Sequence, residues 1–281
     1  MFSSAPVFPS KNFVPFTFTP HIQYGEADGV PLLLDMLCPS PLPSHHLPAV
    51  IYIFGGGWEG GHRSAGMYPW LSPLLATQGF LTVNISYRMS YQAVFPAQIH
   101  DAKAAVRWLR ANAEHYHINP DRIGAWGFSS GGHLASLLGV TGDLPTLEGE
   151  CGSPGYSSRV QAVVAAAAPS NFLHPGGQLL NDGPSNEVIR LFGGTVREHE
   201  EQMRLGSPIS HVNADASPFF LIHGTRDEVV PFEQTEQMYE ALKAVGVEVT
   251  FLVTEWGHDW DTGWYEVALQ YLAFFQRHLC G

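Results

Sequence analysis

Charge is scarce in this sequence. Of 281 residues only 14% are Asp, Glu, Lys or Arg, and the 14 basic ones are scattered, so the basic stripe of a nucleic-acid-binding surface is missing. Cysteine is scarcer still. Cys38, Cys151 and Cys280 are odd in number and lack any CxxC or other metal-ligand spacing, which argues against a disulfide framework and a zinc site. No stretch approaches the roughly 18 uninterrupted apolar residues of a membrane span. The N-terminal MFSSAPVFPSKNFVPFTFTP lacks a charged region followed by a continuous apolar run. These absences predict a soluble, cytoplasmic chain without nucleic-acid or membrane partners; secretion and a homo-oligomer stay open.

What is present is apolar. Hydrophobic residues make up 45% of the chain, enough for a substantial core, and the formal net charge of -12 is common among acidic soluble enzymes. Apolar runs at 16–24, 31–37, 48–54, 80–86, 122–127, 160–168, 218–223 and 248–254 read as eight strands. From the third onward they lack polar alternation. Helical patterns lie between them, so the expected architecture is α/β: a mostly parallel sheet covered by helices on both faces.

Two helices are marked at their ends. In PAQIHDAKAAVRWLRANAEH, Pro96 suits the first helical position; Ile99, Ala102, Val106 and Leu109 form the apolar stripe, leaving Lys103, Arg107 and Arg110 toward solvent. PFEQTEQMYEALKAVG starts with Pro231, sets Met238, Leu242 and Val245 on one stripe and stops at Gly246. No linker divides the sheet. One domain over 1–281 is expected, with 1–20 as an N-terminal arm and 169–217, which lacks clear strands, as a small cap.

The chemistry starts at GFSSG, residues 127–131, between the strand RIGAWG and the helical GHLASLLG. This is the strand-to-helix turn of the G-x-S-x-G pattern, and Gly127 with Gly131 selects Ser129, because Ser130 would need glycine at the position of Phe128. A serine hydroxyl needs a base and an orienting carboxylate. In the order serine, acid, histidine, HGTRDEVVP offers Asp227 just past a strand, ahead of its neighbour Glu228; only His258 and His278 follow, and His258 lies in a loop after the next strand. Donors for a developing oxyanion are expected from the backbone of Gly56 and Gly57, in the GGGW that follows the third strand, and of Ser130.

Together the segments IYIFGGGWEGG, SYRMS, FPAQIHDAKAAVRWLRANAEHYHINPDRIGAWGFSSGGHLA, SPISHV, FFLIHGTRDEVVPFEQTEQMYEAL and GHDW resemble an α/β-hydrolase esterase of the acetylxylan esterase and feruloyl esterase-like (BD-FAE-like) group related to the hormone-sensitive lipase family. The resemblance covers most of residues 24–279 and implies the triad Ser129, Asp227, His258. It also implies a structural Arg88–Asp101 pair. It departs at Phe54, where the family usually has a histidine that braces the glycine loop, and at Ser130, where alanine is frequent.

The expected activity is hydrolysis of small-molecule carboxylic esters through an acyl-enzyme, favouring short acyl groups on substrates such as acetylated or feruloylated carbohydrates. No metal or organic cofactor is required: His45, His46, His115 and His117 have no carboxylate cluster beside them. His223 is expected to brace its loop. Trp58 and Trp260 adjoin the site in sequence and are candidates either for shaping the substrate pocket or for core packing. A prolyl oligopeptidase-type peptidase and a non-catalytic hydrolase-fold binding protein are the competing readings.

Overall fold

The computed structural model describes residues 13–64, 71–142, 144–174, 186–258 and 264–280. Eight strands form one sheet: β1 (Phe16–Ala27), β2 (Val30–Pro39), β3 (Leu47–Ile53), β4 (Leu81–Ile85), β5 (Ile118–Phe128), β6 (Ala162–Ala166), β7 (Phe219–Gly224) and β8 (Val249–Thr254). Their order is β1-β2-β4-β3-β5-β6-β7-β8. The β1–β2 and β2–β4 pairs are antiparallel and the rest parallel. β3, β4, β6 and β7 are buried along their whole length, which is why their sequences show no alternation.

The helices are α1 (Leu71–Thr77), α2 (Ala97–Ala111), α3 (Ala113–Tyr116), α4 (Ser130–Val140), α5 (Asn186–Phe192), α6 (Val196–Gly206), α7 (Phe232–Ala244) and α8 (Trp264–Leu279). Successive residues of β7 show that both faces are covered. Phe219 packs against Gly139 of α4, whereas the Phe220 ring meets Tyr271 and Phe274 of α8. Because strand side chains alternate, α4 and α8 lie on opposite sides of the sheet.

Strand order reverses beside β3: β4 follows it on one side and β5 on the other. In parallel sheets such a reversal leaves a crevice at the carboxyl ends of the two strands. Here those ends carry the glycine loop after Ile53 and the GFSSG turn after β5. The fold therefore brings the two glycine-rich segments together.

Several sequence expectations need correction. Phe16 already opens β1, so the proposed arm 1–20 ends in the sheet; residues 1–12 lie outside those described. Pro96 precedes α2 as its N-cap instead of filling its first position. Lys103 and Arg107 do not face water. The segment after α4 folds over that side of α2, and Glu148 accepts hydrogen bonds from both, so the two buried cations share one carboxylate. Val245 is the C-cap of α7 and is exposed, whereas Met238 and Leu242 are buried as expected and Gly246 takes φ +78°. β8 is an edge strand and only partly covered. Among the described residues the segment 169–217 holds two α-helices, α5 and α6; its residues 175–185 lie outside those described.

Candidate active site

The turn between β5 and α4 has little room. A Cβ at Gly127 would lie 2.2 Å from the carbonyl oxygen of Gly131, and one at Gly131 would lie 2.1 Å from that of Ile53 in β3. Both positions therefore need glycine, which explains the motif in steric terms. Ser129 sits at φ 54°, ψ −125°, a conformation that costs a non-glycine residue on the order of 1–3 kcal/mol. Its N–H donates to Ala166 O at 2.8 Å, its carbonyl accepts from His133 N at 2.9 Å, and α4 begins at the next residue. The side chain is thereby held at the helix N-terminus, where the dipole favours negative charge.

Loops at the ends of β7 and β8 supply the partners. His258 Nε2 lies 3.1 Å from Ser129 Oγ, and His258 Nδ1 lies 2.7 Å from Asp227 Oδ2. With Nδ1–H donating to the carboxylate, Nε2 is free to accept the serine proton. Asp227 is itself saturated. Its Oδ1 accepts the N–H groups of Val229 and Val230 at 2.9 and 2.8 Å, and its Oδ2 also accepts from His223 Nε2 at 3.1 Å. Burial alone would raise the Asp227 pKa, but hydrogen bonds from His223 and His258 outweigh it and hold the carboxyl well below the usual range. His223 Nε2 faces two acceptors, Asp227 and Val230 O, while Nδ1 is 2.7 Å from Thr235 Oγ1; it braces the acid loop as expected.

The glycine loop after β3 runs left-handed, with φ +133° at Gly56, +61° at Gly57 and +59° at Trp58. Gly56 O accepts from Glu59 N and Gly60 N, closing the turn. No polar side chain occupies position 54. Phe54 instead stacks on Tyr87 with centroids 4.7 Å apart, and the Tyr87 hydroxyl donates to Phe54 O. Ser90 N donates to Trp58 O.

One buried side-chain tie to this loop comes from a residue that the sequence reading passed over. Trp58 Nε1–H donates to His133 Nδ1 at 3.2 Å, and His133 Nε2 donates to Gly206 O at the end of α6, 2.7 Å away. Indole nitrogen is only a donor, so His133 must keep Nδ1 unprotonated. Complete burial pushes its pKa down to about 4, which keeps the ring in that neutral form. The loop is thus pinned to α4 and, through it, to the 169–217 segment. From outside, Arg190 of α5 clamps Glu59 with a bidentate ion pair.

Ser129, His258, Gly56, Gly57 and Ser130 line one cavity of about 400 Å³, as sequence reasoning placed them. Trp58 lines it too, but the indole is only 3% exposed and serves packing as well as the wall. Phe128, Pro169, Val229, Val230, Glu59 and Glu187 complete the lining and were not foreseen. Val229 and Val230 sit in the quoted HGTRDEVVP stretch; Glu187 carries no motif. Trp260 lies outside the described residues. Arg88 and Asp101 pair through three hydrogen bonds between their side chains and do not line the cavity. Glu228 and His278 are likewise absent from the lining, and His278 Nε2 lies 3.4 Å from Glu248 Oε1.

Comparisons with known proteins identify a family and a fold. A family model described as BD-FAE matches residues 34–242. Esterase LipC of Mycobacterium tuberculosis is 34% identical over 216 residues, covering 76% of this chain and 52% of LipC. The chain spans about half the length of curated relatives such as this one. A solved truncated carbohydrate esterase from gut microbiota is 29% identical with a TM-score of 0.84, covering 97% of this chain and 99% of that one. The bifunctional GH43-CE protein of Bacteroides eggerthii is 31% identical with a TM-score of 0.82, over 93% of this chain and 38% of its own. The chain belongs to the BD-FAE family and has the α/β-hydrolase fold.

Proposed function

We propose that the chain hydrolyses short-chain acyl esters through an acyl-enzyme on Ser129, with acetylated or feruloylated carbohydrates as the natural substrate class. The observation that carries this is the hydrogen-bonded line Ser129–His258–Asp227, at 3.1 and 2.7 Å, opening into a cavity beside the glycine loop. Ser129 Oγ attacks the ester carbonyl carbon while its proton passes to His258 Nε2. Asp227, held ionised by its donors, fixes the imidazole and stabilises the imidazolium. The carbonyl oxygen becomes an oxyanion and is met by the N–H groups of Gly56, Gly57 and Ser130; the last belongs to the first turn of α4, whose N–H groups have no partner within the helix.

Collapse of the intermediate breaks the bond to the alcohol oxygen, which leaves with the proton from His258. Water then attacks the acyl-enzyme, giving its proton to His258, and release of the carboxylic acid restores Ser129. The backbone hydrogen bonds that fix Ser129 and the ties on Trp58 keep nucleophile and donors from reorganising during these steps. The carbohydrate part of the reading is supported by the two carbohydrate-esterase neighbours. The short-acyl part is supported by the cavity volume of about 400 Å³ and its aromatic and valine walls.

A panel of p-nitrophenyl esters, acetylated xylosides and peptide p-nitroanilides tests the reading. Turnover of the nitrophenyl and xyloside acetates without anilide cleavage is expected. Anilide cleavage exceeding ester cleavage would favour a peptidase, and saturable binding without turnover would favour a binding protein.

A further inference from the structure

The cavity above Ser129 carries an unbalanced charge. Glu59 and Glu187 both line it, but their situations differ. Glu59 is neutralised by Arg190, which contacts both of its carboxylate oxygens. Glu187, in the first turn of α5, makes no hydrogen bond or ion pair among the described residues. Its side chain lies over the glycine loop: a Cβ placed on Gly57 would be 2.9 Å from Glu187 Cγ. Among the described residues no lysine or arginine lines the cavity, and the sequence of 175–185 and 259–263 contains neither. Among the described residues, His258 is the remaining basic side chain that lines it.

A carboxylate without a protein donor relies on water. When a substrate enters, its groups displace some of that water, and the lost solvation is restored only by a hydrogen-bond donor or a positive charge. Neutral apolar groups leave the carboxylate poorly solvated, and anionic groups add repulsion. The position over Gly57 puts this effect beside the reacting carbonyl, where it acts on transition-state binding.

We propose that Glu187 is a specificity-determining residue that sorts ester substrates by charge, favouring those with a cationic group near the scissile ester over uncharged isosteres. This rests on the esterase reading of the cavity. It implies that α5 of the 169–217 segment sets an electrostatic preference. Across a cavity of about 400 Å³ that stays open to water, one such charge changes kcat/KM by about tenfold at low ionic strength.

The test uses two acetate esters of nearly equal shape, acetylcholine and neohexyl acetate, which differ by one positive charge. With the native chain at neutral pH and low salt, kcat/KM is expected to favour acetylcholine by about tenfold. The ratio is expected to fall toward one in Glu187→Gln, and in the native chain at molar salt, where screening acts without any substitution. A native ratio at or below one overturns the proposal. So does a preference that survives both Glu187→Gln and high salt. Hydrolysis of neither ester, nor of p-nitrophenyl acetate, would overturn the esterase reading itself and the proposal with it.

Discussion

Substituting His133 by glutamine separates its ionisation from its bracing of the glycine loop. In the fold the imidazole accepts from Trp58 Nε1 and donates to Gly206 O, which only the neutral ring can do, and burial holds its pKa near about 4 against an ordinary value of 6.5. Between those two values the unfolded chain binds a proton that the folded chain refuses. The unfolded state is then favoured by added protons, so stability falls as pH falls through that window and is fully present above it. An interval of about 2.5 units at about 1.4 kcal/mol per unit, less the part recovered because the folded ring is half protonated at the lower end, makes the loss there about 3 kcal/mol. Glutamine supplies an acceptor and a donor on one amide but does not titrate. Denaturant unfolding of native and His133→Gln chains, at neutral pH and near the lower pKa, gives two acid-induced losses to compare. Carboxylates such as Asp227 contribute to both and cancel. The native loss is expected to exceed the variant's by about 3 kcal/mol. Equal losses would refute the neutral-histidine brace.

Trp58→Phe keeps most of the ring but strands His133 Nδ1, so a stability loss of about 1–3 kcal/mol with a lower kcat on p-nitrophenyl acetate is expected; a change in KM alone would argue against the loop-bracing role. Asp227→Asn should lower kcat by up to about 10⁴-fold through the wrong imidazole tautomer, whereas Glu228→Gln should change it little; steady-state kinetics of the two decide the acid's identity. Along a p-nitrophenyl ester series, kcat/KM is expected to peak between acetyl and butyryl and to drop at least about tenfold by octanoyl. A steady rise to long chains would contradict the short-acyl reading.

The sheet was legible because buried parallel strands announce themselves as short apolar runs, and all eight runs became strands. The triad geometry was legible for a related reason: Ser129, Asp227 and His258 each follow one of those strands, so chain order and strand ends were enough to bring them together. What could not be read depends on partners distant in sequence. Lys103 and Arg107 look solvent-facing until Glu148, more than 40 residues away, is folded over them. His133 looks like any helical residue until Trp58 and Gly206 meet at its two nitrogens. Phe54 looks like the loss of a brace, yet Tyr87 and the Trp58–His133 tie hold the loop by other means. Glu187 belongs to a segment rich in glycine and proline, where no periodicity gives a side chain its direction.

The central claim is that this chain is an ester hydrolase whose attacking atom is Ser129 Oγ. The most direct measurement is p-nitrophenyl acetate turnover by the native chain, Ser129→Ala and Ser130→Ala, with unfolding midpoints recorded for each. Ser129→Ala is expected to remain folded and to lose turnover by at least about 10³-fold, leaving only what the oxyanion donors and binding provide. Ser130→Ala keeps its backbone N–H and should retain most of the native rate. A folded Ser129→Ala chain with near-native turnover, or loss confined to Ser130→Ala, would contradict the account.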